Sequence, residues 1–115
     1  MRAALRDFVR HLADRDYAQV CRMITREVKS SWREFARRNP KHFSTAGCSA
    51  FARDFYGAGT VDQRTLGKDT RAIERGSVQV KGNQAIFTAD QRDKRAGRDD
   101  TTHLRKVGGR WLLGD

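Results

Sequence analysis

The spacing of apolar residues changes partway along the chain, and this change restricts the possible folds more than any other feature of the sequence. Near the start, apolar residues recur at intervals of three and four, which is typical of one face of an amphipathic helix. They are Leu5, Phe8, Val9 and Leu12. Later, Ala85, Phe87 and Ala89 recur at every second position, as in a half-buried strand. Helices followed by antiparallel strands indicate an α+β fold rather than a parallel βαβ arrangement.

Two further helices are predicted between residues 16 and 39. Asp16 and Thr25 are suitable N-caps, because their side-chain oxygens can accept a free backbone N–H of the next turn. Asn39–Pro40 is expected to end the later helix, since proline disfavours helical backbone in the residue before it. The inner faces should hold Tyr17, Val20, Cys21 and Ile24 in the earlier helix, and Val28, Trp32 and Phe35 in the later one.

A fourth helix is predicted next, with Ser44 or Thr45 as its cap and with Gly57 and Gly59 at its end. Its inner face should hold Cys48, Phe51, Ala52 and Phe55. After it, Ile73, Val78 and Val80 lie in short stretches that polar residues interrupt.

The last third of the chain is predicted to form a β-meander. Gly82–Asn83 indicates a turn, and residues 90–100 form a polar stretch typical of a long hairpin loop. Thr101–Val107 and Arg110–Leu113 read as two strands joined by Gly108–Gly109, a strong two-residue hairpin signal. We therefore expect three or four helices packed on a curved antiparallel sheet of about four strands.

The composition excludes several classes of protein. A chain of 115 residues has room for one domain, which we place at residues 1–115, and none for a separate cofactor domain. Its longest apolar runs are three residues, far short of the roughly 20 that cross a bilayer, so no transmembrane segment is expected. One proline and 10 glycines exclude a collagen-like or low-complexity chain.

The chain is strongly basic, with a net charge of +10. Such a protein attracts polyanions, and nucleic acid or another anionic surface is therefore a possible partner. Basic residues recur at intervals of three and four along the second and third predicted helices. They are Arg22, Arg26, Lys29, Arg33 and Arg37. This stripe is either an anion-binding surface or a solvated helix face, and a cap at Thr25 would bend it.

Two cysteines, Cys21 and Cys48, lie on the predicted inner faces of two helices. They form a disulfide if their Cα atoms lie within about 7 Å, and otherwise they are two buried reduced thiols. Neither a C-x-x-C pair nor a neighbouring histidine accompanies them, so we expect no metal and no other cofactor.

Three segments of the sequence resemble a known superfamily. The first is Asp16-Tyr17-Ala18-Gln19-Val20-Cys21, the second is Gly47-Cys48, and the third is the closing hairpin Val107-Gly108-Gly109-Arg110-Trp111-Leu112-Leu113. In this order they resemble the nuclear-transport-factor-two-like (cystatin-like cone) superfamily, in particular its small exported actinobacterial members. The resemblance implies helices in the concave side of a curved sheet, often with a pocket between the two layers.

The resemblance also favours a disulfide between Cys21 and Cys48, and hence an oxidising compartment. The protein would then be extracytoplasmic, with any leader or membrane anchor outside this chain, whereas reduced cysteines would indicate the cytoplasm. Dimerisation through the open face of the sheet is common in the superfamily, and a homodimer is therefore an expectation by analogy.

Superfamily members include enzymes, adaptors and binding domains, so the fold implies no single function. The expected pocket would be lined by Tyr17, Phe51, Phe55, Tyr56, Phe87, His103 and Trp111. An enzyme of the ketosteroid-isomerase type needs a buried carboxylate, and the inward strand positions supply none, so no catalytic residue is assigned.

The sequence therefore predicts a non-catalytic extracytoplasmic binding or scaffold domain. It would recognise a protein partner or a small apolar ligand in or beside the cone. One alternative is a cone-pocket enzyme, of the isomerase, cyclase or hydrolase type, that acts on a small apolar substrate. The other is a basic binder of nucleic acid or an anionic surface.

Overall fold

Helices occupy the first part of the chain and strands the second, in a computed structural model that describes residues 1–57, 62–93 and 101–114. This arrangement confirms the predicted α+β class, with the N-terminal helices packed against the sheet. The α-helices are α1 (Arg2–Ala13), α2 (Tyr17–Arg22), α3 (Arg26–Arg38), α4 (Cys48–Tyr56) and α5 (Leu66–Arg75). The strands are β1 (Ser77–Lys81), β2 (Gln84–Thr88), β3 (Thr101–Val107) and β4 (Arg110–Leu113), and Gln91–Asp93 forms a 3₁₀ turn.

The four strands form an antiparallel meander in the order β1-β2-β3-β4. Gly108 and Gly109 connect β3 to β4 with φ angles of 57° and 79°, which glycine adopts without steric cost. The predicted hairpin is therefore confirmed. Part of the predicted 90–100 loop and Gly59 lie outside the described residues.

Helix α1 joins two apolar cores because its inner face contacts both. Leu5 packs against α5 and the sheet in a sheet core of Leu5, Ile73, Ala85, Phe87 and Leu104. Phe8 and Leu12 pack in a helix core of Phe8, Leu12, Val20, Met23 and Ile24. The buried residues of α1 thus follow the predicted spacing.

Helices α2 and α3 begin at the predicted caps. The carboxylate of Asp16 accepts the backbone N–H of Gln19, and Thr25 Oγ1 accepts that of Val28, each at 3.3 Å. Between the two helices, Ile24 forms a parallel bridge with Leu113 of β4. This pairing with the edge of the sheet fixes the break between α2 and α3.

Two helices differ from the sequence-based expectation. Helix α5 was not predicted, because Leu66 and Ile73, seven positions apart, are separated mostly by polar residues, and only Ile73 is buried. Helix α4 begins at Cys48, with Gly47 rather than Ser44 or Thr45 as its N-cap. The Ser44 hydroxyl instead accepts the N–H of Ala46 within the preceding loop. In the described ranges no helix is long and apolar enough to span a membrane.

Gly76 lies where α5 meets the sheet core. A Cβ atom at this position would lie 2.1 Å from Cζ of Phe87, far inside van der Waals contact. Its φ of −69° is open to any residue, so close packing rather than backbone conformation requires glycine here.

The variant Gly76→Ala is expected to lower the free energy of unfolding by about 1–3 kcal/mol, because the Phe87 ring must move out of a packed core. Gly67→Ala, within the same helix, is the matched control, since its nearest neighbour would be an Arg71 side-chain atom at 3.5 Å. The control should keep or raise stability by up to about 1 kcal/mol. Urea unfolding measures both, and equal stability of the two variants would contradict the packing described.

Candidate functional site

A disulfide links the second helix to the fourth. Cys21 of α2 and Cys48 of α4 lie at bonding distance, with their Cα atoms 6.1 Å apart. The pairing agrees with the disulfide that was predicted and differs from the alternative of two reduced thiols. It fixes the beginning of α4 against α2.

Aromatic rings fill the contact between α3 and α4. We define the aromatic cluster as Trp32, Phe35, Phe43, Phe51, Phe55 and Tyr56. Phe51 lies at its centre and is buried, with ring centroids 5.2 Å from both Trp32 and Phe43. Such contacts stabilise a pair of helices beyond the area that they bury.

The outer side of the aromatic cluster is open to solvent. Phe35 is 46% exposed and Phe55 is 48% exposed, although the spacing placed both on inner faces. Phe55 lies against Trp32 and Phe51, with centroids 6.2 and 5.8 Å away. These half-exposed rings therefore form an apolar surface that packs on the buried ring of Phe51.

Tyr56 connects the aromatic cluster to the helix core. Its ring meets those of Phe8 and Trp32 edge to face, at centroid distances of 6.3 and 6.1 Å. Burial raises the pKa of the Tyr56 phenol, because the ionised form loses hydration in these surroundings. The phenol is therefore neutral at physiological pH.

A cleft lies beside the aromatic cluster, between α3 and the chain that leads into α4. We call it the α3–α4 cleft, and its volume is about 290 Å³. Trp32, Ala36, Phe51 and Cys48 form its apolar wall. The remaining lining residues are Lys29, Arg33 and the loop residues Ser44, Thr45, Ala46 and Gly47.

The predicted basic stripe is interrupted. Arg22 ends α2 and Arg26 begins α3, and the bridged segment between these helices separates the two residues. Arg37 pairs with Glu34 at 2.6 Å, and this contact lowers the pKa of the Glu34 carboxyl. The remaining members of the stripe form no ion pair within the described part of the chain: Arg22, Arg26, Lys29 and Arg33.

A second cleft of about 510 Å³ adjoins the first, and Lys29 lines both. Arg22 and Arg26 line this second cleft, beside the ion pair between Glu27 and Arg105. Side chains that carry a positive charge and form no ion pair with a described residue therefore line both clefts, although the break between α2 and α3 separates Arg22 from Arg26. Association with nucleic acid or another anionic surface stays a prediction from charge.

The other candidate pocket residues lie elsewhere. Tyr17 is half-buried against the helix core, and Phe87 is buried in the sheet core. Trp111 packs against the sheet core and lies 5.9 Å from Lys106 Nζ. His103 is exposed and lines a groove of about 490 Å³ walled by strands alone. The structure therefore brings together three of the seven candidates, Phe51, Phe55 and Tyr56, and the other four lie apart from them. Dimerisation through the sheet stays a prediction.

The interior between helices and sheet is packed with apolar side chains. Among the described residues, Thr25 is the one polar residue that is buried as a whole, and its hydroxyl already accepts the N–H of Val28. Single polar atoms of Arg2 and Asp69 are also buried. None of the three clefts described above lies between the helices and the inner sheet face. In the same described ranges no group of three or more metal-ligating side chains is found.

Three members of the aromatic cluster are not among the predicted site residues, for identifiable reasons. The spacing assigns Trp32 and Phe35 to an inner helix face, and nothing in that spacing distinguishes a core residue from the wall of a cleft or an exposed ring. Phe43 lies in the loop after Pro40, where no hydrophobic period exists. The one sequence feature that could have indicated Phe43 as a site residue is that it is an aromatic residue close to the end of a helix.

Comparisons with protein-family models, curated proteins and solved structures find no match for this chain. The α+β class, the Cys21–Cys48 pair and the clefts beside α3 are therefore known from this chain's own sequence and structure.

Reduction of the disulfide is expected to lower the free energy of unfolding by ~3.5 kcal/mol, from the chain entropy of the loop that it closes. The two cysteines are separated by 27 positions. Urea unfolding with and without a phosphine reductant measures the effect. The double variant Cys21→Ala/Cys48→Ala is the control and should not respond to the reductant. A wild-type unfolding midpoint that reductant leaves unchanged would contradict the pairing.

Proposed function

We propose that this chain is a non-catalytic extracytoplasmic binding or scaffold domain. It recognises a protein partner or a small apolar ligand at the α3–α4 face, by which we mean the aromatic cluster together with the α3–α4 cleft. The observation that carries the proposal is the half-exposure of Phe35 and Phe55 beside a cleft walled by Trp32 and Phe51.

The exposed rings make ligand binding at the α3–α4 face favourable, because a ligand that covers them removes apolar surface from water. A buried aromatic side chain removes roughly 150–250 Å² from water, at about 25 cal/mol per Å² of apolar surface. Phe35 and Phe55 are each about half exposed, so a ligand that covers them gains a substantial part of that free energy. Aromatic residues of this kind are also over-represented among the residues that contribute most to protein interfaces.

The α3–α4 face is held in shape from within. Phe51 is buried under Phe55 and Trp32, and the disulfide fixes the start of α4. A ligand therefore meets rings that are already ordered, so less conformational entropy is lost on binding.

The proposed location follows from the cysteine pair. Disulfides persist in oxidising compartments and are rare in the cytosol, so Cys21–Cys48 supports an extracytoplasmic protein. Membership in the nuclear-transport-factor-two-like superfamily is part of the same proposal. It is supported by the order of helices and antiparallel strands and by the resemblance in the closing hairpin.

The binding function is preferred to a cone-pocket enzyme on the chemistry of the interior. General acid–base catalysis on an apolar substrate would be supported by a carboxylate or phenol facing a cavity between helices and sheet. Tyr56 is instead surrounded by the rings of Phe8, Trp32 and Phe55, and Thr25 caps α3.

The double variant Phe35→Ser/Phe55→Ser is expected to weaken binding of the neutral apolar dye N-phenyl-1-naphthylamine by about fivefold, from about 1 kcal/mol of lost apolar contact. A fluorescence titration measures the affinity. Val80→Ser/Val107→Ser is the matched control, because these residues are comparably exposed, at 54% and 46%, but lie on the sheet. An equal loss in both variants would contradict a binding site at the α3–α4 face, and no binding by the wild-type protein would contradict recognition of a small apolar ligand there.

A further inference from the structure

We infer that the α3–α4 cleft binds a small amphiphilic anion, with an aromatic or acyl group against Trp32 and Phe51 and an acidic head group at Lys29 and Arg33. This inference rests on the proposed binding function and adds the charge and size of the ligand.

The size of the cleft selects a small ligand. Its volume of about 290 Å³ lies just below the usual range for small-molecule sites, roughly 300–1,000 Å³. A compact aromatic group or a short acyl chain suits a cleft of this size, whereas a macromolecule would contact only the rim.

The apolar wall is continuous and rigid. The Trp32 and Phe51 rings lie 5.2 Å apart by centroid, and Ala36 and half of the disulfide complete the wall. Phe51 and Ala36 are buried within the helix layer, so their positions are set before a ligand binds. Such a wall suits a flat aromatic group or an acyl chain.

The charged side of the cleft carries two cations without a partner. Lys29 and Arg33 are four positions apart on α3, which places them one helical turn from each other. Both line the cleft, and neither forms an ion pair with a described residue. An acidic head group between them would receive hydrogen bonds from two positive donors, and the arginine can bind an oxyanion in a bidentate way.

The carboxylates nearest along the chain are engaged elsewhere. Glu27 pairs with Arg105, and Glu34 pairs with both Arg37 and Arg38. These contacts lower the pKa of both carboxyls, which favours their ionised and paired form. Lys29 and Arg33 therefore line an apolar cleft without a carboxylate partner among the described residues, an arrangement that favours an amphiphilic anion over a neutral ligand.

Two dyes with the same ring framework test the inference. 1-Anilinonaphthalene-8-sulfonate carries an acidic group, and N-phenyl-1-naphthylamine lacks it. In Lys29→Gln/Arg33→Gln, the affinity for the sulfonate is expected to fall about tenfold, the size of effect that lost charged hydrogen bonds produce. The affinity for the neutral dye should stay within about twofold, because the apolar wall is unchanged.

Arg22→Gln/Arg26→Gln is the matched control, since it removes the same charge from the neighbouring cleft. It should change the affinity for the sulfonate less than about twofold at 0.15 M salt, where long-range attraction is screened. The exchange Lys29→Arg/Arg33→Lys keeps both charges and should retain sulfonate binding. Urea unfolding of each variant verifies that it is folded.

Each contrary result shows whether the inference alone is wrong or the proposed function is wrong as well. An equal loss of sulfonate binding in the two Gln variants indicates general charge attraction and overturns the inference. An equal loss of both dyes in Lys29→Gln/Arg33→Gln indicates an apolar site without head-group recognition, which overturns the inference but leaves the proposed function standing. If the wild-type protein binds neither dye, the inference falls, and so does recognition of a small ligand in the proposed function.

Discussion

The attachment of α4 to α2 and α3 is the interaction on which the α3–α4 cleft and the aromatic cluster depend. The Cys21–Cys48 disulfide holds one end of this short helix, and the contact of Phe51 with Trp32 holds its middle. Together they place α4 beside α3, with the cleft and the half-exposed rings next to each other. Without this attachment, neither the cleft nor the aromatic surface would have a defined shape.

The sheet determines where α3 begins, although α3 contributes little to the sheet core. The N–H of Thr25 donates to the carbonyl of Leu113 at 2.9 Å, and the N–H of Leu113 donates to that of Met23 at 2.7 Å. These bonds end α2 at the edge of β4 and allow α3 to start in a new direction. They also explain why the basic residues, evenly spaced in sequence, divide between two neighbouring clefts.

Elements with a repeated apolar pattern or a specific capping residue could be predicted from the sequence. Asp16, Thr25 and Gly108–Gly109 each act at the position where their chemistry indicated a cap or a turn. Helix α5 was not predicted, since polar residues separate Leu66 from Ile73 and the burial of Ile73 depends on distant contacts with α1 and the sheet. The exposure of Phe35 and Phe55 could not be predicted from the sequence either. The spacing of apolar residues identifies the apolar face of a helix, but not how much of that face another element covers.

The most direct test is a nuclear Overhauser measurement between the ring protons of Trp32 and Phe51 in the oxidised protein. We expect strong cross-peaks, since the two centroids lie 5.2 Å apart in a packed contact. These cross-peaks should weaken when the disulfide is reduced. Dispersed, folded spectra of the oxidised protein without cross-peaks between these rings would contradict the placement of α4, and with it the candidate site.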